Sequence, residues 1–376
     1  MLHYDVLIIG GGPSGSSLAF LLLKQGISCC IIDREKFPRD KLCGGLLTEK
    51  TVSLIESIYG DIHFPCERIS SSVSLFFGEK KLSNVTTQSK FYLVERRKFD
   101  NYFIDRFREL GGIVYEKENV QSVDQSQHIV ELQGNKKIGY KVLVGADGAN
   151  SFVRKMVAPD YKPNAICVES SYKSDVVDDE ICVFFTEKRS GYGWCFPKNN
   201  YYTVGMGGDT KWNKKIKESF IAFSEKIGKP VEKHTIQGAM IPFGKFVKCP
   251  YKKDILLIGD AAGLVDPITG EGLFFAFWSA MFASTAIEKQ IKDGTAFDRT
   301  YAKEIKAIHS IINEANRFNK SFFSYGVKNR ILPLLEGREN IVRYYCDNLL
   351  ANYDVPYMQF PFRYYNVRRK RKRGKR

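Results

Sequence analysis

Histidine is scarce in this chain, five among 376 residues, and the nine cysteines never fall into a CxxC pair. The spacings of a zinc site or a dithiol redox centre are therefore missing, and no metal is expected. No secretory leader is read at Met1, so the thiols are expected to be reduced and the protein cytoplasmic. Long apolar runs are also lacking: the most apolar stretch, 264–286, is broken by Asp266, Pro267 and Glu271. It cannot cross a bilayer as one helix, so any membrane contact is expected to be peripheral, at the inner face. Internal repeats are absent, and only the C-terminus is of low complexity.

What is present suits a folded enzyme. A hydrophobic content of 44% with 13% aromatics supplies a large apolar interior. The length exceeds what one core usually absorbs, so two interlocked domains are expected. The formal charge of +15 is uneven, because residues 368–376 hold eight Lys or Arg and leave a body of only +7. Such a block repels itself and is expected to stay solvated and disordered. With Phe360, Phe362, Tyr364 and Tyr365 just upstream, it suits an anionic membrane surface; nucleic acid is not the expected partner.

Residues 4–9 form an apolar run ending in glycines, 14–25 have helical length, and 28–32 form a second run closed by Asp33. This is a βαβ unit. Gly10, Gly12, Ser14 and Gly15 sit in its GxGxxG turn. The first glycine permits the turn, the second lets backbone approach a pyrophosphate, and the third lets helix and strand pack. Asp33 is placed to hold ribose hydroxyls, with Arg34 beside it toward adenine or phosphate. This turn alone does not separate FAD from NAD. Helix is expected over 100–110, an antiparallel ribbon up to Tyr140, and a buried strand over 141–144. A second sheet rich in β-branched and aromatic residues is expected over 165–240, with a helix near 214–226. Residues 297–350 read as mostly helical.

Two further strand ends carry Asp next to Gly: Gly145-Ala-Asp147-Gly148, and Gly259-Asp260-Ala-Ala followed by Gly270 and Gly272. A strand-end aspartate can accept from a ribityl hydroxyl while glycine lets the backbone come close. The helix expected over 273–289 would aim its N-terminal amides at the electron-rich edge of a reduced flavin.

The order GxGxxG, GADGxxSxVR, LxGDAA and GEG resembles the FAD-dependent monooxygenases and reductases. The resemblance implies that Asp260, Gly272 and Leu273 meet the flavin, and that Ser14 and Arg34 lie along the pyrophosphate and adenosine. It also implies that Arg96 stands near the pyrophosphate. Residues 38–45, PRDKLCGG, and 192–197, YGWCFP, are similar to two signatures of the geranylgeranyl reductase family, most closely its short bacterial CbrA-type members. The resemblance covers residues 4–289. It implies an α/β fold in which a Rossmann-type FAD-binding domain (1–67, 92–160, 250–290) is interleaved with an antiparallel-sheet substrate domain (68–91, 161–249). A helical C-terminal region (291–362) and the tail (363–376) follow.

It further implies an FAD-dependent oxidoreductase that reduces carbon–carbon double bonds of a prenyl or other lipid-like substrate. Gly44 and Gly45 leave bare backbone for the flavin ring, with Cys43 beside it as proton source or as packing residue. Tyr192, Trp194 and Phe196 alternate along a strand, so they share one face and offer an apolar lining for substrate. Arg189 stands where the family often has proline. Two other readings stay open: an FAD-dependent hydroxylase or halogenase, and a non-catalytic flavin-binding membrane-associated protein. A phenolic hydroxylase usually has histidine where Gly263 stands, and a halogenase needs a tunnel lysine, for which Lys41 and Lys50 are the candidates. With a single dinucleotide fingerprint, the electron donor is either transiently bound NAD(P)H or a ferredoxin, whose acidity a mildly basic body would suit.

Overall fold

The computed structural model describes residues 1–350 apart from 62, 187–190, 212 and 324–325. Arg189, the aromatics at 360–365 and the basic tail lie outside the described residues.

Strand Leu2–Ile9 enters helix Pro13–Lys24, and Cys29–Asp33 returns parallel beside it. Strand Lys137–Gly145 pairs in parallel on the other side of the first strand, and Ile255–Leu257 lies parallel beyond it. Parallel strands covered on both faces need apolar side chains in both directions. Val6, Leu7, Ile8, Cys30, Ile31, Leu143, Val144 and 255–258 are accordingly buried. Helices Leu273–Asp293 and Tyr301–Phe322 pack into the same core. Because these strands run the same way, the turns after Ile9, Gly145 and Leu257 emerge at one edge, where open α/β sheets bind ligands.

The expected ribbon over 111–140 is only partly found. Val120–Asp124 and Ile129–Leu132 pair antiparallel, and the latter pairs antiparallel with the start of Lys137–Gly145. Ile113–Glu116 instead joins Cys29–Asp33 in parallel and extends the first sheet. An edge strand with one face open shows the same alternation as a hairpin, so sequence pattern did not separate them.

The second sheet has eight strands, in the order Gln237–Ile241, Ala165–Lys173, Tyr201–Asp209, Tyr192–Pro197, Glu180–Phe185, Arg68–Phe77, Lys80–Leu93 and Leu46–Thr48. All neighbours are antiparallel except Glu180–Phe185 and Arg68–Phe77. The chain visits this sheet in separate passes, and that parallel pair is where two passes meet. One face buries Val168, Cys195 and Val204 under Phe220 of helix Ile216–Lys226. Toward the other face, Val73, Leu75 and Phe91 pack with Val342 and Cys346 from the last described segment. No helix among the described residues is long and apolar enough to cross a membrane.

Candidate functional site

A cavity of about 850 Å³ runs from the edge of the first sheet to the second. At one end the three strand-end turns meet. Gly10 has φ +103°, and a side chain there would strike the Ala146 carbonyl; one at Gly15 would strike the Gly10 carbonyl. Only glycine lets the first turn lie against the second this closely. Asp33 closes the same corner: its oxygens accept from the Gly11 amide at 2.8 Å and the Glu35 amide at 2.9 Å. Each oxygen keeps a second lone pair. Asp147 Oδ2 accepts from the amides of Phe152 (2.6 Å) and Val153 (3.2 Å), fixing the turn that follows it. Arg154 then ties two turns together, donating to the carbonyls of Asp260 (3.3 Å) and Ala261 (3.1 Å) and to that of Ala149. The backbone of Gly272 approaches Asp260 Oδ1, leaving 3.2 Å for a hypothetical Cβ, and helix Leu273–Asp293 starts there with its N-terminus on the cavity.

The cavity wall includes Gly10, Gly12, Ser14, Asp33, Arg34, Cys43, Gly44, Gly45, Arg96 and Asp147. Asp260, Gly270, Gly272, Leu273, Tyr192, Trp194 and Phe196 line it as well. Of the residues expected to bind cofactor or substrate, Gly15 is not on the wall; it packs beneath the first turn. Arg34 is at the mouth, its side chain 75% exposed and paired with Glu35. Arg96 is buried and bidentate to Asp100 at 2.7 and 2.9 Å. Burial works against its charge, but Asp100 and Cys43 more than offset that, so its pKa is raised.

Tyr192, Trp194 and Phe196 do share a face: their ring centroids lie 5.9 and 6.3 Å apart in sequence order. The Tyr192 hydroxyl donates to the Thr269 carbonyl, docking this strand on the loop before Gly270. Gly44 lies against Phe196 and Trp194. Lys41 lines the cavity. Lys50 is held 2.8 Å from Glu271, which also accepts from Thr48 and Thr51.

Four side chains matter here that sequence reasoning did not assign. Arg39 faces Gly12, stacks on Phe37 and lies 3.3 Å from Asp100. Lys198 is 1% exposed and donates to the carbonyls of Gly44 (2.9 Å), Gly45 (3.3 Å) and Val94 (3.0 Å). Burial pulls its pKa down to about 8. Arg154 is the third. Glu169 is the fourth: it accepts from Trp194 Nε1 at 3.3 Å. Burial pushes its pKa up to about 7 despite the pull of Lys198 and the Trp194 N–H. A signal existed for Glu169, an acid in strand Ala165–Lys173 in phase with buried Cys167.

A family model described as an FAD binding domain matches residues 3–309. The chain belongs to that family. The FAD-binding family accounts for the three glycine-lined turns, and the bare backbone at Gly10, where a side chain would strike Ala146, fits the close approach of a pyrophosphate. Among relatives, the geranylgeranyl diphosphate reductase of Rhodobacter capsulatus is 27% identical over 318 residues, covering 80% of this chain and 79% of its own. The digeranylgeranylglycerophospholipid reductase of Methanocaldococcus jannaschii is 27% identical over 311 residues, 77% of this chain and 78% of its own. The crystal structure of a geranylgeranyl bacteriochlorophyll reductase-like protein from Thermoplasma acidophilum superposes with a TM-score of 0.74 at 21% identity. That match covers 91% of this chain and 92% of the other. The resemblance to geranylgeranyl reductases read from the sequence is thus shared by relatives matched over about four-fifths of their length, and the protein is an FAD-dependent oxidoreductase.

Proposed function

We propose that this FAD-dependent oxidoreductase reduces isolated double bonds of a prenyl or similar lipid-like chain. The carrying observation is one continuous cavity, whose glycine-lined end passes into an apolar end walled by Val73, Leu75, Phe91, Ile181, Val183 and Phe185. The two ends meet at Cys43 and Gly44, under Trp194 and Phe196. Reduced FAD, when bound, supplies a hydride to one alkene carbon.

The protein's own residues do the rest. The turns at Gly10, Gly12, Ser14 and Gly15, with Asp33, Arg34, Arg39 and Arg96, hold the dinucleotide. Asp147, Asp260, Gly270, Gly272 and Leu273 hold the flavin end, and Gly44 and Gly45 offer bare backbone to its ring. The apolar wall excludes water and positions the chain, each fully buried CH₂ contributing about 0.8 kcal/mol. Cys43 can pass its thiol proton to the second alkene carbon, because the Arg96 guanidinium and the Gly45 amide (3.4 Å) stand ready to stabilise the thiolate left behind. Tyr192 is a poorer donor, since its hydroxyl is committed to Thr269 and burial raises its pKa. The basic C-terminal residues, with the exposed Ile331 and Leu334 before them, suit an anionic membrane from which such a substrate would come.

The test is mass spectrometry after anaerobic mixing of the dithionite-reduced holoprotein with a panel of polyprenyl lipids. A gain of two hydrogens per reduced bond is expected. No gain with any member, from protein that retains FAD, would end the prenyl reading and leave the cofactor assignment intact.

A further inference from the structure

The residue directly after strand Tyr192–Pro197 reaches across to the Cys43–Gly45 loop. Lys198 has its backbone tied on both sides: its amide donates to the Tyr201 carbonyl at 2.8 Å, and its carbonyl accepts from Arg68 Nε at 3.2 Å. Its side chain runs behind the cavity wall, and the ammonium gives one N–H to each of three carbonyls, those of Gly44, Gly45 and Val94. Three acceptors suit the cation, because a neutral amine would turn its lone pair on one of them. The Gly44–Gly45 peptide is held at its other end too, since the Gly45 amide donates to Cys43 Sγ at 3.4 Å. That peptide is trans, so its C=O and N–H point in opposite directions. The carbonyl is turned back toward Lys198, and the N–H emerges on the side of Cys43, which lines the cavity.

Glycine at both positions leaves this orientation unfixed by the backbone itself. Gly45 has φ +64°, in the left-handed region, which glycine enters about as readily as its mirror image. A half-turn of the peptide plane would aim the Gly44 carbonyl into the cavity and the N–H away from it. We propose that Lys198 is a positioning residue that fixes the Gly44–Gly45 peptide with its N–H toward the cavity, so that the loop favours negative charge on whatever it faces. The flip would take the Gly44 carbonyl from an ammonium buried away from any replacing water, which disfavours it by roughly tenfold or more. An amide N–H stabilises an anion and a carbonyl oxygen repels one, so the two orientations act with opposite sign on the same site. The groups that gain negative charge beside this loop are the reduced flavin and the Cys43 sulfur once its proton has left.

The inference rests on the reading of this cavity as the redox site, with Gly44 and Gly45 beside the flavin ring. Its test involves no prenyl substrate and no turnover, so the two can fail separately. The flavin reduction potential of the holoprotein is measured anaerobically at pH 7 by equilibration with reference dyes. Lys198→Met, of similar length but without charge or donors, should lose roughly tenfold in preference for reduced over oxidised flavin, a fall of about 30 mV for a two-electron couple. Lys198→Arg keeps the charge and the donors and should restore most of that potential. Gly45→Ala leaves Lys198 in place but opposes the present orientation, because alanine disfavours φ +64° and its methyl would strike the Val94 carbonyl. It should lower the potential as the Met variant does. An unmoved potential in Lys198→Met, or an equal fall in the Met and Arg variants, would overturn the role given to Lys198. An unmoved potential in Gly45→Ala would overturn the peptide orientation as its cause, and this variant decides the matter should Lys198→Met fail to fold.

Discussion

At the scale of single residues, two buried titrating groups have opposite consequences for stability. Glu169 titrates near 7 in the fold against an ordinary 4.5, so the native state holds the proton more tightly than the unfolded chain. Its contribution is complete below about pH 4.5 and is lost as pH climbs through 7, a loss of at most about 3 kcal/mol. Glu169→Gln has no such term, so its melting temperature relative to wild type should rise between pH 5 and 8. An unchanged difference in scanning calorimetry would contradict this. His309 is the reverse case. It stacks on Phe246 at 4.1 Å, its Nε2 is buried without a hydrogen-bond partner, and burial lowers its pKa to about 4. The native fold therefore keeps it neutral while the unfolded chain protonates at about 6.5. Its contribution is intact above 6.5 and declines as pH falls toward 4. His309→Phe keeps the stacked ring and removes the titration, so it should lose less melting temperature than wild type between pH 7.5 and 5.

At the scale of elements, the packing of indole over Gly205 makes that position intolerant. Gly205→Ala should push Trp194 off Glu169 and cost about 1–3 kcal/mol, as overpacking does. A lowered melting point with altered near-ultraviolet circular dichroism would report it; an unchanged spectrum would argue against the geometry. The elements also show what sequence could and could not reveal. The turns at Gly10, Gly148 and Gly259 were legible because strand, glycine and acid lie within a few residues of one another. The aromatic face at 192–196 was legible from its period of two. Arg39, Arg154, Glu169 and Lys198 were not assigned, since each acts on a group distant in sequence or carried by a different element. Ile113–Glu116 was misplaced because alternation reports one open face, not the direction of the neighbour.

At the scale of the whole molecule, cationic charge is concentrated at one end of the chain. Deleting residues 363–376 removes nine Lys or Arg and should leave the melting temperature and flavin content unchanged. Binding to anionic vesicles should fall several-fold, and what remains should weaken little with added salt. Equal sedimentation of both proteins with such vesicles would remove the tail from any membrane role.

The first sheet places Ile255–Leu257 beside Lys137–Gly145, so the third turn at the cavity comes from a strand translated more than a hundred residues after the second. A nascent chain lacks that turn until most of it has left the ribosome. Flavin capture is then a late event in biosynthesis, and stalled chains ending before Gly259 should be colourless.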